Sequence, residues 1–315
     1  MVKIILGFIA SVVLAICVTP LVIRIVKKLA CAQTILKYVE EHKSKQGTPT
    51  MGGLVFFVVT FLLVFIFLDY NTDWFLCLLV ATSFALLGGM DDFIKVKFKR
   101  NLGLHPYQKI IGQVGISLIF ALYIFFNVST SISVPFFNNT LDVEWLIIPI
   151  IILAFLATTN AVNLTDGLDG LAGSVSVVLM FVTIVIFSIK NISTDLSVLL
   201  AIFAGSILGF LVYNTNKATI FMGDLGSLGI GGMISAVFCI TGLELSLLVL
   251  GICFVASALS VIIQVFMFQR FKKRVFKMSP LHHHFQQSGY SEAKITYCYS
   301  LTTLLVGLLL ILSYL

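Results

Sequence analysis

Five aspartates stand close to glycines at the ends of hydrophobic runs. Asp91 and Asp92 follow Gly88-Gly89-Met90, Asp166 and Asp169 lie in Asn163-Leu-Thr-Asp166-Gly167-Leu-Asp169-Gly170, and Asp224 closes Phe221-Met222-Gly223-Asp224. Adjacent carboxylates repel one another unless something positive is shared nearby. Hard carboxylate oxygens with no cysteine among them select Mg²⁺ or Mn²⁺ over zinc. Such a site leaves part of the metal's shell to water and substrate phosphates, which points to phosphoryl transfer, where a protein mostly positions groups and neutralises charge.

Three other stretches join them. Asn160, Asn163 and Asp166 recur every three residues and Asp169 continues the series, giving one polar face; Gly167, Gly170 and Gly173 keep that face thin. No Lys or Arg lies between Trp145 and Ile189, so these carboxylates need water, a cation or a ligand. A polar packing motif between helices is the plainer reading. Lys45-Gln-Gly47-Thr-Pro-Thr50-Met-Gly-Gly53 opens a hydrophobic run with free N–H groups and hydroxyls, either as an anion site or simply as a capped helix start. In Ser279-Pro280-Leu281-His282-His283-His284, consecutive histidines on a helix point about 100° apart, so the three cannot hold one ion. With Ser279 as N-cap and Pro280 at the first helical position, they occupy a first turn that favours phosphate.

The elements that must carry these residues are membrane helices. The chain has 315 residues, 59% hydrophobic and 11% charged, with a mean hydropathy of +1.09; soluble domains carry about 25% charged residues. Helix-length apolar runs exclude a β-barrel, and the segments 2–26, 51–68, 74–90, 108–127, 143–161, 173–190, 195–213, 225–243, 245–269 and 295–314 are ten expected spans. The first is read as a retained helix rather than a cleaved leader. The fold class is an all-α polytopic membrane protein, one domain over 1–315 with no repeat and no linker. Of the 20 Lys and Arg, 18 fall on one set of connections, which places both termini outside and all the aspartate stretches on the cytoplasmic face. Segment 128–142 alternates around Asn138-Asn139 and reads as a small external hairpin. The six cysteines show no paired spacing and read as core residues. Nothing in the pattern suggests nucleic acid. An ion-coupled transporter would hold carboxylates near the bilayer midplane, often with inverted repeats; here they crowd one lip.

The motifs Gly47-Thr-Pro-Thr-Met-Gly-Gly53, Asp91-Asp92, Asn160 to Ala172, Phe221-Met-Gly-Asp224 and Pro280-Leu-His-His-His-Phe285 resemble, in order and over the whole chain, the polyprenyl-phosphate N-acetylhexosamine-1-phosphate transferase superfamily. The threonine–proline and histidine motifs resemble its muramoyl-pentapeptide branch. The resemblance implies a bacterial cell-membrane enzyme of peptidoglycan synthesis. It would move phospho-N-acetylmuramoyl-pentapeptide from UDP to undecaprenyl phosphate with Mg²⁺, forming lipid I and releasing UMP, as a homodimer. A relative using UDP-N-acetylglucosamine is the alternative. It implies Asp224 as magnesium ligand, Asp91 and Asp92 as catalytic, with Asp91 meeting the lipid phosphate, and His282 supporting the diphosphate beside His283 and His284. Lys45, Thr50, Asn163, Asp166, Asn214 and Phe221 would line the uridine and sugar pocket, Phe221 stacking on uracil. Asn160, Asp169, Gly223, Lys95 and Lys109 complete the implied substrate contacts.

Overall fold

The computed structural model describes residues 1–28, 47–98, 103–137, 139–215 and 217–315. Its helices are α1 (Val2–Lys28), α2 (Leu54–Phe67), α3 (Thr72–Lys97), α4 (Pro106–Asn127), α5 (Ile147–Thr165), α6 (Leu171–Ile189), α7 (Thr194–Asn214), α8 (Gly223–Ile240), α9 (Glu244–Leu250), α10 (Ile252–Phe271), α11 (Leu281–Gln286) and α12 (Glu292–Leu312). Among the described residues nine helices are long and apolar enough to cross a membrane, and the protein is a multi-pass membrane protein.

Two expected spans differ from this. The run 245–269 is broken at Gly251, which caps both α9 and α10. The run 51–68 yields only the 14 residues of α2, about 21 Å of helix against a hydrocarbon core of about 30 Å. Its missing turns are spent on a re-entrant segment. Phe221 N–H donates to the Pro49 carbonyl at 2.9 Å, and Gly52 N–H donates to the Phe221 carbonyl at 2.8 Å. Non-helical backbone is tolerated at such depth only where protein satisfies it, and Thr50 is buried there.

Helices α7 and α8 are enclosed on nearly all sides, while α1, α4, α10 and α12 keep most of their apolar surface outward, toward lipid. Lipid is as apolar as leucine, so association rests on close packing and internal satisfaction of polar groups. Buried hydroxyls comply by bonding one turn back along their own helix: Thr159 to the Phe155 carbonyl at 2.7 Å, Thr183 to Leu179 at 2.9 Å, Ser176 to Ala172 at 2.7 Å. Phe84 of α3 stacks on Phe155 of α5 with centroids 5.3 Å apart, and Phe120 of α4 meets Phe155 edge-on at 5.5 Å. The approach of α3 to α8 is closest at Gly88, where a Cβ would collide with the Asp224 carbonyl.

The hairpin forms as β1 (Ser131–Val134) and β2 (Asn139–Asp142), antiparallel, with Ser131 opposite Asp142 and Val134 opposite Asn139. The connection between Val134 and Asn139 includes Phe136, left-handed at φ 67°; Asn138, one of the pair on which the sequence centres the turn, lies outside the described residues. Ser133 N–H donates to the Gly242 carbonyl at 2.8 Å, tying the hairpin to the α8–α9 turn. At the opposite end of the bundle lie the end of α3, the start of α8, the end of α5 and the segment carrying α11.

Candidate active site

Asp91 and Asp92 do not sit at the end of their helix. α3 continues to Lys97, which places Lys95 one turn beyond the pair and on their face. The dipole penalty expected of carboxylates at a C-terminus is therefore reduced, since that effect fades beyond the last turn. Asp224 lies in the first turn of α8, where the dipole favours a negative charge. Gly223 before it has φ +73°, a conformation few side chains adopt, and a Cβ there would strike Asp92 Oδ2.

Each aspartate commits one oxygen to a fixed donor. Asp91 Oδ1 accepts the Leu104 N–H at 2.7 Å, Asp92 Oδ2 accepts the Leu225 N–H at 3.1 Å, and Asp224 Oδ1 accepts Asn163 Nδ2 at 2.8 Å. Asn163 also donates to Ser227 Oγ at 2.8 Å. The remaining oxygens face two ammoniums. Lys95 Nζ is 2.6 Å from Asp91 Oδ2, 3.0 Å from Asp224 Oδ2 and 4.0 Å from Asp92 Oδ1. Lys109 Nζ, from the first turn of α4, is 2.6 Å from Asp224 Oδ2 and 3.1 Å from Asp91 Oδ2. One ligand oxygen from each of the three aspartates falls within a sphere of mutual distances below 4.8 Å, suited to one cation.

Asp166 caps the end of α5 beside this group. Burial first, and then the charges of Asp224, Asp92 and Asp169, push its carboxyl up to about 8. His282 is fully buried, and among the described residues neither ring nitrogen has a hydrogen-bond partner. Its Nε2 and that of His283 crowd the space over Gly167, so a Cβ there would collide with the His282 ring. Burial, and secondarily His283, hold its pKa down at about 3. The histidine helix begins one residue later than expected: Pro280, not Ser279, takes the cap position, and no side chain caps it. His283 Nδ1 pairs with Gln286 Oε1 at 3.0 Å, and His284 Nδ1 accepts the Lys277 N–H at 3.1 Å.

The other sequence candidates divide into two groups. Thr50 and Phe221 flank Gly223 through the re-entrant segment. Asn160, Asp169 and Asn214 are engaged elsewhere. Asn160 Nδ2 donates to Gln113 Oε1 at 2.8 Å. Asp169 Oδ2 accepts the Ala218 N–H at 2.9 Å, and Asn214 joins the Gly170 N–H at 3.1 Å to the Ile220 carbonyl at 2.9 Å. Asp169 and Asn214 brace the loop 166–170 against the loop leading to Asp224. Lys45 lies outside the described residues. Sequence reasoning passed over Gln113, a lone amide inside an apolar run, and Glu292, whose Oε2 accepts the Asp169 N–H at 3.1 Å.

The fold is that of a multi-pass membrane protein with a cluster of three aspartates, balanced by lysines, that could hold a metal ion. The model of Glycosyl transferase family 4 matches residues 74–243, and the phospho-N-acetylmuramoyl-pentapeptide-transferase signature 1 matches residues 45–57. Proteins named phospho-N-acetylmuramoyl-pentapeptide-transferase are similar over nearly their full length. That of Caldanaerobacter subterraneus subsp. tengcongensis is 46% identical over 84% of this chain and 83% of its own. That of Clostridium kluyveri is 44% identical over 93% and 94%, and that of Bacillus pumilus 39% over 97% and 95%. The chain belongs to the phospho-N-acetylmuramoyl-pentapeptide-transferase family.

Proposed function

We propose that this chain transfers phospho-N-acetylmuramoyl-pentapeptide from its UDP carrier to undecaprenyl phosphate, releasing UMP and forming lipid I, with Mg²⁺ held by Asp224 together with Asp91 and Asp92. The observation that carries this reading is the set of three aspartates, each with one oxygen fixed by a protein donor and another turned toward a common locus. Asp91, Asp92 and Asp224 face two ammoniums, a balance of one negative charge, and Asp166, close enough to feel Asp224 and Asp92, adds a second when ionised; one divalent cation neutralises both. A bound Mg²⁺ would supply charge neutralisation for the diphosphate.

In the reaction an oxygen of the lipid phosphate bonds to the phosphorus nearest the sugar. The bond from that phosphorus to the bridging oxygen breaks, and its electron pair leaves with UMP. Asp91 Oδ2 is the atom that orients the acceptor phosphate or takes its proton. Lys95 and Lys109 turn from the carboxylates to the phosphates as these arrive. His282, neutral and with both nitrogens free, donates one N–H to the diphosphate. Asn163 and Asp166 hold the nucleotide sugar, and Phe221 stacks on uracil. The site faces the cytoplasm, in keeping with the side that carries 18 of the 20 Lys and Arg.

The test is a reconstituted assay of UMP release and lipid product, using UDP-N-acetylmuramoyl-pentapeptide and undecaprenyl phosphate with and without Mg²⁺. Turnover confined to the Mg²⁺ arm is expected. Faster UMP release from UDP-N-acetylglucosamine would assign the chain a different sugar.

A further inference from the structure

The last turns of α10 and the segment after them form a second charged feature that the transfer reaction does not use. Arg270, Lys272, Lys273, Arg274 and Lys277 fall within eight residues, and no acidic residue occurs from 245 to 291. The segment is exposed from Phe271 to Val275 yet is tethered to its own helix. Lys272 turns the chain back at φ 54°. Gln264, two turns inside α10, then holds it: Oε1 accepts the Val275 N–H at 3.1 Å and the Phe276 N–H at 3.0 Å, while Nε2 donates to the Phe276 carbonyl at 3.2 Å. A basic loop is thus laid along the flank of a helix whose Ile262, Phe266 and Phe271 are more than half exposed and apolar.

Between helix and loop lies a cleft of about 420 Å³, lined by Gln264, Val265, Phe268, Arg274, Lys277 and Met278 among others. Its lining combines two cations, Arg274 and Lys277, with the apolar Val265, Phe268 and Met278. Among the described residues Arg274 has no carboxylate partner, and Lys277 Nζ reaches only the Gln287 carbonyl, at 3.3 Å. The aspartate cluster draws counter-charge from Lys95 and Lys109, and among the described residues no hydrogen bond or ion pair joins the cleft's lining to it.

We propose that this cleft seats the head group of an anionic phospholipid from the leaflet on the side of the aspartate site, its phosphate on Arg274 and Lys277 and its chains along Val265 and Phe268. Clustered cations directly beyond a membrane helix attract such head groups. A free anion would gain nothing from the apolar wall. The reacting lipid phosphate must instead reach Asp91.

The experiment uses the full chain in nanodiscs of phosphatidylcholine with graded phosphatidylglycerol, and native mass spectrometry counts the phosphatidylglycerol retained. The unmodified chain is expected to keep one molecule. R274Q/K277Q should need about thirtyfold more phosphatidylglycerol for the same retention, roughly fivefold for each interfacial cation. R274K/K277R should restore it, and K272Q/K273Q, off the cleft, should stay close to the unmodified chain. Q264L keeps every charge but frees the loop, and is expected to lose retention as well. UMP release in pure phosphatidylcholine should be the same for R274Q/K277Q as for the unmodified chain. Equal losses from K272Q/K273Q would mean diffuse surface charge and overturn the site. Displacement by millimolar inorganic phosphate, or by undecaprenyl phosphate as readily as by phosphatidylglycerol, would overturn the choice of occupant.

Discussion

Replacing Lys109 with Gln removes an ammonium that lies 2.6 Å from Asp224 Oδ2 and 3.1 Å from Asp91 Oδ2. At an effective dielectric of about 20, unit charges at those separations attract by about 6 and about 5 kcal/mol. Most of this is offset, because the lysine is no longer desolvated and Lys95 contacts the same two oxygens. Removing one partner from a largely buried ion cluster costs about 3–5 kcal/mol, and the neighbouring cation puts Lys109→Gln at the lower end, about 3 kcal/mol. At about 2 °C per kcal/mol for a chain of this size, the thermal midpoint in EDTA should fall by about 6 °C. Addition of Mg²⁺ should act in the opposite sense. The variant site is one charge more negative and binds the divalent cation more tightly; a tenfold gain in affinity adds about 1.4 kcal/mol of ligand-linked stability. Thermal scans of both proteins across a Mg²⁺ titration measure this, alongside the KM for the nucleotide sugar, which should rise because an anionic substrate has lost a cation. A Mg²⁺-induced shift no larger in the variant than in the unmodified chain would refute the charge balance on which the site is drawn.

Other perturbations test separate parts of the site. Asp224→Asn should abolish Mg²⁺-dependent turnover with expression near normal; activity retained at saturating Mg²⁺ would remove its role as ligand. Since Asp166 binds a proton up to about pH 8, a cation must displace that proton, and apparent Mg²⁺ affinity should weaken as pH falls through 8, by up to about tenfold per unit; Asp166→Asn should flatten the profile. His282 stays neutral down to about pH 3 when folded but protonates near its ordinary 6.5 when unfolded. The stability it allows above pH 6.5 is therefore lost progressively as pH falls toward 3, by about 1.4 kcal/mol per unit, and His282→Asn should show a shallower acid limb in thermal scans from pH 7 to 4. Gly88→Ala should cost about 3 kcal/mol because its Cβ meets backbone at Asp224, whereas Gly115→Ala, with open space around it, should leave the melting midpoint unchanged.

Membrane architecture was legible because length and hydropathy decide it with little help from packing. The hairpin at 128–142 was legible too, since alternation is a local signal, although the left-handed Phe136 in its connection was not. What escaped the sequence depends on contacts far apart in the chain. Asp91 and Asp92 resemble the polar end of a span, yet the helix runs on to Lys97, because Lys95 and Lys109 neutralise the pair and keep it inside protein. The regular spacing of Asn160, Asn163, Asp166 and Asp169 suggested one continuous face. α5 stops at Thr165, so Asn163 bonds Asp224 and Asp166 caps the helix beside the cluster, while Asn160 turns to Gln113 and Asp169 to the Ala218 amide. The three histidines read as a helix start suited to phosphate, and the burial of His282 against Gly167 is a tertiary event with no local signature.

The shortness of α2 has a consequence for where lipid and nucleotide meet. A helix of 14 residues leaves about 9 Å of the bilayer's apolar thickness unspanned at one end, and the re-entrant backbone at 49–53 fills that depth with amides and hydroxyls. With α2 along the bilayer normal, that polar floor would lie beneath the plane of the surrounding phosphates, a mismatch a bilayer relieves by thinning locally. For the reaction proposed above, a lipid phosphate anchored by its own tail would ride down such a dimple without leaving the leaflet. The water-soluble partner would be the one that has to descend.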